Sequence, residues 1–320
     1  MLIGNILLDE DKVISLIADI KKRRSLRDMN DDFIREQLFN YLHKSNRKLT
    51  NDLHGNFHNK SAIYKKVLKD VRNHLRRVYS LFRVEEEIKN RKELVEVSPE
   101  QTSNPKNHLR IVTKILSSHS STKERLPFYK QLYHKIFAVT GKPSSIIDLG
   151  CGVNPFSIFF MNLHKLDYYA YDLSEDEISL LNTYFSLLSK ENASFKGSAA
   201  VLDILHWQEI ARHDSVDLCL MFKMTDVLDQ GKGHKVSERI IKIIPARYIV
   251  VSFPIKTMSG KRMNFPRRTW IELMCKRLGY TFTPMTHINE IFYVIKKSTV
   301  EETSRKRIEK KKALKESTTL

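Results

Sequence analysis

The sequence is poor in cysteine and places what it has at wide intervals. Cys151, Cys219 and Cys275 are the only thiols in 320 residues, and no two have CxxC spacing. That argues against a disulfide framework and against a zinc site, and it suits a reducing cytosol. No apolar run reaches the roughly 18 residues of a membrane-spanning helix. A secretory signal is not expected either, because Asp9, Glu10 and Asp11 interrupt the N-terminal apolar stretch. Internal repeats are missing. Acid is scarce relative to base: 37 Asp and Glu stand against 55 Lys and Arg, a formal net charge of +18. A surplus of that size favours a polyanionic partner, with a plain solubility surplus as the alternative. What is not scarce is apolar material, 41% of the residues, which supports a sizeable core and excludes global disorder. The expectation is a soluble, cytoplasmic, monomeric protein that holds no metal and avoids membranes.

The first 95 or so residues read as helical. Val13, Leu16, Ile17 and Ile20 recur at three- and four-residue steps, as do Phe33, Ile34, Leu38, Tyr41 and Leu42, with Asn30 or Asp31 available as a cap. A third segment puts Ile63, Val67, Val71, Leu75, Val78 and Leu81 on one face. Its other faces carry Lys65, Lys66, Lys69, Arg72, Arg76 and Arg77, a surface suited to tracking phosphates. A Pro- and Ser-containing break covers 98–108, and helices are expected at 107–118 and 122–140. From Gly141 short apolar runs alternate with helical patterns. Strands are expected at 145–150, 168–172, 198–203, 216–222, 247–253, 280–287 and 291–296. Five strands alternating with helices, then two with a short connection, predict an α/β doubly wound sheet that ends in an antiparallel hairpin. The expected domains are a helical RNA-binding region at 1–105, an α/β domain at 106–297 and a basic tail at 298–320.

The first strand runs into "IIDLGCGVNPF" (146–156). Gly150 and Gly152 permit positive φ and close approach of a ligand to the backbone. The third glycine of a dinucleotide loop is missing; Asn154-Pro155 stands near its place, with Pro155 opening a helix at its first turn. Such a loop suits a ligand without a pyrophosphate. Asp172 ends the second strand, where an acid can accept the hydroxyls of a ribose. Asp203 ends the third, where it can meet an adenine edge. Glycine turn and ribose acid are shared by NAD and S-adenosylmethionine sites, and the missing glycine favours the latter.

Five strings, in order, carry a family resemblance: "HSSTKERLPFY" (119–129), "IIDLGCGVNPF", "YDLSEDEI" (171–178), "LMFKMTDVLDQ" (220–230) and "VVSFPIKTMSGK" (250–261). Together they resemble the Arm/Rmt-type aminoglycoside-resistance methyltransferases, which act on guanine N7 in the decoding site of 16S rRNA. The family loop also carries Asn-Pro. The resemblance implies a class I S-adenosylmethionine-dependent methyltransferase: a Rossmann-like seven-stranded sheet with an N-terminal helical domain, acting on the small ribosomal subunit. It implies that His119, Ser120 and Ser121 line the cofactor pocket and that Arg125 pairs with the methionine carboxylate. Gly150 opens the loop, Asp172 takes the ribose, Asp203 and Ile204 lie near the adenine, Phe222 and Lys223 close the site, and Gln230 borders it. Two stretches depart from the family pattern, Thr225-Asp226 and Arg262-Met263-Asn264.

Guanine N7 has a free lone pair and needs no deprotonation, so the chemistry asks for alignment and not for a general base. The Asn/Asp-Pro-Pro-Tyr motif of amino-group methyltransferases is absent, as is the Pro-Cys of cytosine-C5 enzymes. Lys256, Lys261, Arg262, Arg267 and Arg268 crowd the loop after the fifth strand and are expected to steer RNA. Other RNAs (tRNA or large-subunit rRNA), adenine N1, or a non-catalytic ribosome-assembly role remain as alternatives.

Overall fold

In a computed structural model, residues 2–3, 6–7, 9–44, 61–76, 104–229, 233–256, 261, 263, 266–287 and 289–298 are described. Arg77, Val78 and Leu81 of the expected third helical segment, Gln230, Arg262 and the tail beyond 298 lie outside them. None of the described helices is long and apolar enough to cross a membrane.

The N-terminal helices are α1 (Glu10–Lys21), α2 (Asp31–Lys44) and α3 (Ala62–Leu75). Their expected apolar faces are buried: Val13, Leu16, Ile17 and Ile20 on α1, Phe33, Ile34, Leu38 and Leu42 on α2, and Val67, Val71 and Leu75 on α3 share one cluster with Leu26, Met29 and Tyr64. Tyr41 and Ile63 pack only partly against it. Each such side chain contributes about 1.5–3 kcal/mol when fully buried, which is why short helices with modest propensity hold together here. Of the two cap candidates it is Asn30 whose Oδ1 accepts the Phe33 N–H, at 3.1 Å. Ser61 caps α3 by accepting the Tyr64 N–H at 3.2 Å.

Helix α4 (Pro105–Ser117) starts two residues before its expected position, because Asn104 accepts the N–H groups of Lys106 and Asn107 at 3.0 and 3.4 Å. The single helix expected at 122–140 is three pieces: α5 (Ser120–Arg125), a 3₁₀ turn at Leu126–Phe128, and α6 (Tyr129–Thr140). Pro127 has no N–H to give an α-helical bond, so the chain tightens around it.

The seven expected strands all form, to within a few residues: β1 (Ser145–Leu149), β2 (Leu166–Asp172), β3 (Phe195–Val201), β4 (Val216–Phe222), β5 (Ala246–Pro254), β6 (Thr281–His287) and β7 (Glu290–Lys296). Their order in the sheet is β3-β2-β1-β4-β5-β7-β6. β4 pairs parallel with β1 and β5, and β7 runs antiparallel to both β5 and β6. The apolar run of β4 is buried at nearly every position, as a central parallel strand requires. Helix α7 (Glu175–Glu191) follows β2 and is capped by Ser174.

The helix expected to open at Pro155 is instead a seven-residue 3₁₀ helix, Asn154–Phe160. Three residues per turn let Phe156 stack on Tyr184 at 4.3 Å while Phe159 meets His108 edge-on at 4.8 Å. Phe160 stacks on Tyr129 at 5.9 Å. Aromatic packing overrides the α-helical preference.

The described residues fall into two compact units. One comprises Met1–Tyr129, Gly150–His164 and Ala170–Asp203; the other comprises Lys130–Leu149, Lys165–Tyr169 and Ile204–Leu320.

Candidate functional site

In the first unit the site is built around the glycine turn. Gly150 and Gly152 have φ of +62° and +49°. The Cys151 N–H donates to the Tyr171 carbonyl at 3.0 Å, which ties the turn to the end of β2. The Gly152 N–H donates to Asp172 Oδ2 at 2.8 Å, and the Ser174 N–H donates to Asp172 Oδ1 at 3.1 Å. Asp172 is thus clamped through both oxygens. A carboxylate oxygen can accept more than one hydrogen bond, so two backbone N–H groups do not by themselves exhaust its acceptor capacity. The Leu202 N–H meets the Asp172 carbonyl at 3.0 Å and brings the end of β3, with the half-buried Asp203 beyond it, to the same edge.

A Cβ added to Gly152 would lie 3.1 Å from His119 Nδ1. His119, just before α5, in turn faces Glu177 of α7, with Nε2 2.9 Å from Oε1, and both side chains are buried. Ser120 and Ser121 are half-buried on the first turn of α5. Arg125, at the end of that helix, is only 2% exposed. Its guanidinium donates to Asn154 Oδ1 at 3.1 Å and to the Tyr129 hydroxyl at 3.3 Å, while the Tyr129 hydroxyl donates to Asn154 Oδ1 at 2.9 Å. Asn154 is therefore the residue that docks the arginine helix onto the turn. Sequence reasoning marked Asn154 as part of the loop's Asn-Pro family trait but gave it no partner, and missed Tyr129, Glu177 and Ser174 altogether. The spacing from His119 to Glu177 has no local pattern that could have revealed the pair.

In the second unit, Ile204 is buried, Phe222 ends β4, and the buried Lys223 follows it. Phe222 meets Phe292 edge-on at 5.6 Å. Lys223 has φ +56°, uncommon for a residue with a Cβ. Its N–H is shared between the Ser252 hydroxyl at 3.0 Å and the Ser252 carbonyl at 3.2 Å. Its Nζ lies 3.9 Å from Glu290 Oε2, both side chains being buried, and Ser252 Oγ donates to the same carboxylate. Thr225, one of the departures from the family pattern, is buried and opens a short helix, Thr225–Asp229.

The basic residues divide into two kinds. Lys65, Lys66, Lys69 and Arg76 are exposed on α3, and Lys261 is exposed on the loop after β5. Others have structural duties. Arg72 is half-buried and donates to the Asp19 carbonyl at the end of α1. Arg267 pairs with Glu272 at 2.8 Å. Arg268 donates to the Pro254 carbonyl at 3.1 Å and lies over the Phe253 ring at 5.2 Å, bracing its own loop. Lys256 is half-buried. Burial pushes the thiol of Cys219 well up, and that of Cys275 up to about 12, so neither offers a thiolate nucleophile.

A family model described as "Ribosomal RNA methyltransferase (FmrO)" matches residues 61–294. A Proteus mirabilis protein named 16S rRNA (guanine(1405)-N(7))-methyltransferase is 31% identical over 190 residues, 58% of this chain and 65% of its own. A Frankia casuarinae protein of the same name is 26% identical over 190 residues, 58% of this chain and 64% of its own. The chain thus spans just under two thirds of the length of these relatives. Two solved structures share the fold. The 16S rRNA methyltransferase RmtF in complex with S-adenosyl-L-homocysteine superposes with a TM-score of 0.70 at 21% identity, covering 91% of this chain and 100% of that one. The 16S rRNA methylase RmtB does so with 0.65 at 20%, covering 89% and 98%. With the turn, the clamped acid and the seven-stranded order in place, the match over 61–294 identifies this chain as a member of the ribosomal RNA methyltransferase (FmrO) family.

Proposed function

We propose that this chain is an S-adenosylmethionine-dependent methyltransferase that methylates guanine N7 in the decoding site of small-subunit rRNA. The observation that carries the donor reading is the clamp on Asp172. An acid at the end of β2, held through both oxygens by the glycine turn and the next helix, suits a ribose diol. The group fits the residues around it. Arg125 supplies a fork of donors for a carboxylate. The absence of a Cβ at Gly152 lets His119 pack closely against the turn, since a Cβ there would lie 3.1 Å from its Nδ1. Pro155 stands at the place of the third glycine of a dinucleotide loop, so the fingerprint that cradles a pyrophosphate is incomplete here. For Ile204, Phe222, Lys223 and Gln230 the same role rests on the family resemblance.

When bound, S-adenosylmethionine supplies an electrophilic methyl group. Asp172, Asp203 and Arg125 hold and orient its ribose, adenine and carboxylate ends. The guanine lone pair needs no base, which agrees with a turn in which the titratable groups are spent on one another: Glu177 on His119, and Asp172 on two backbone N–H groups. Lys65, Lys66, Lys69 and Arg76 hold RNA phosphates, and the exposed Lys261, with Arg262 next to it in the sequence, steers the target base. That base must leave its stack, at a cost of a few kcal/mol. The relatives named for 16S rRNA guanine N7 support this acceptor.

The test pairs calorimetry with transfer. Titration with S-adenosylmethionine is expected to show saturable binding and titration with NAD none. Radiolabel from the methyl group is expected on 30S subunits or free small-subunit rRNA and not on tRNA. Label on tRNA alone would move the reading to another RNA, and absence of S-adenosylmethionine binding would end it.

A further inference from the structure

The bonds that hold Asp172 continue past the glycine turn. Ser174 is fully buried, and its hydroxyl serves twice: it accepts the Glu177 N–H at 3.2 Å and donates to Asp28 Oδ2 at 2.8 Å. Asp28 belongs to the bend between α1 and α2, far from the sheet in sequence. The same bend grips the same place twice more, once through a backbone bridge and once through a side chain. Met29 bridges Ser174 in antiparallel fashion, the Glu175 N–H donates to the Asp28 carbonyl at 3.3 Å, and Asn30 Nδ2 donates to Glu175 Oε1 at 2.9 Å. Farther along α2, Glu36 brings a carboxylate oxygen within 4.8 Å of one on Asp203, the acid at the end of β3. The N-terminal helices therefore hold Ser174, itself a partner of Asp172, and come near Asp203.

We propose that Asp28 is a positioning residue for the methyl donor: the N-terminal helices hold the ribose acid in place through Ser174. The inference rests on the reading of Asp172 as the ribose ligand. Asp172 is clamped by two N–H groups, one from the turn and one from Ser174. The Ser174 clamp is as rigid as the Ser174 backbone, and that backbone is fixed from the far side by Asp28 and Met29. A hydroxyl donating to a carboxylate makes a strong, short bond, so Asp28 is the main side-chain restraint. Without it the Ser174 side of the clamp on Asp172 loosens, and ordering it must be done at the expense of ligand affinity. The helical region thus acts on the donor as well as presenting lysines to RNA.

The experiment measures S-adenosylmethionine binding by calorimetry on the full chain, with steady-state kinetics beside it. Asp28→Ala is expected to weaken binding about tenfold, the size of one lost charge-assisted hydrogen bond, and to raise KM for the donor with little change in kcat. Asp28→Asn keeps an acceptor oxygen in the same position and is expected to bind within about twofold of the wild type. Tyr41→Phe removes the bond from Tyr41 to Asp70, loosening α2 from α3 away from the bend, and is expected to leave donor binding unchanged. Equal losses in Asp28→Ala and Tyr41→Phe would reduce Asp28 to general support of the helices and overturn the proposal, as would an Asp28→Ala that binds normally. If Asp28→Ala does not fold, Asp28→Glu decides against Asp28→Asn: the displaced carboxylate of Glu is expected to bind more weakly than the in-place amide, and the reverse order overturns the proposal. A wild type that binds no S-adenosylmethionine would instead remove the donor reading itself, and with it this role for Asp28.

Discussion

The glycine turn and helix α3 lie in the same compact unit and differ in how their polar groups are used. Around the turn the donors and acceptors are tied to named partners: Gly152 and Ser174 to Asp172, Arg125 to Asn154, His119 to Glu177. On α3 the lysines at 65, 66 and 69 are exposed on the face opposite Val67, Val71 and Leu75. Under the proposed function, the first arrangement would recognise one small molecule through fixed geometry, at the expense of tolerance to change. The second would recognise a charged surface through number and spacing, so that single losses are cushioned. Substitutions in the two regions should accordingly differ in kind as well as in size.

Arg125→Ala should produce the largest effect. Removing a buried fork of charged donors costs about 2–3 kcal/mol, so S-adenosylmethionine affinity is expected to fall roughly 100-fold in calorimetry. Arg125→Lys should fare little better, because a point charge does not reproduce the fork. Gly152→Ala comes next. A left-handed backbone costs a residue with a Cβ about 1–2 kcal/mol, and that Cβ would press on His119 at 3.1 Å. A roughly five- to thirtyfold loss of donor affinity, that energy converted, is expected with little change in RNA binding. On α3 the pattern inverts. Replacing Lys65, Lys66 and Lys69 together by Ala should leave donor affinity intact and lower the slope of log affinity for RNA against log salt by about 2–3. If the triple variant loses donor binding instead, the two regions are not distinct in the way described.

The smallest effect concerns acid stability of the helices. Asp19 is held below the usual carboxylate range, first by its bond from Lys22 and then by the Tyr64 hydroxyl. A depressed pKa stabilises the fold above the unfolded value of about 3.9, and that increment is lost as pH falls through the folded pKa. Thermal melts of Asp19→Asn and wild type should therefore differ at neutral pH and converge in acid.

The same contrast explains what could be read from sequence. Strand periodicity, the glycine turn, Asp172 and the helix faces are local patterns, and each appears where its spacing puts it. The broken helix at Pro127 and the 3₁₀ turn at 154–160 were less legible. Proline chemistry and aromatic packing against Tyr184, His108 and Tyr129 decide them, and those partners are distant in sequence. His119 with Glu177, and Asp28 with Ser174, escaped for the same reason. The basic residues were legible as charge but not as role: nothing in the spacing of Arg72 or Arg268 separates a side chain that braces a carbonyl from one that meets a phosphate.

The central claim is methyl transfer to a guanine N7, and borohydride reduction with aniline cleavage reads that atom directly. Small-subunit rRNA recovered after incubation of 30S subunits with the protein and S-adenosylmethionine is expected to break at a single decoding-site guanine, and rRNA from an Asp172→Ala incubation is expected to remain whole there. Uncleaved rRNA that nevertheless carries methyl label would contradict the claim by moving the modification to another atom or base.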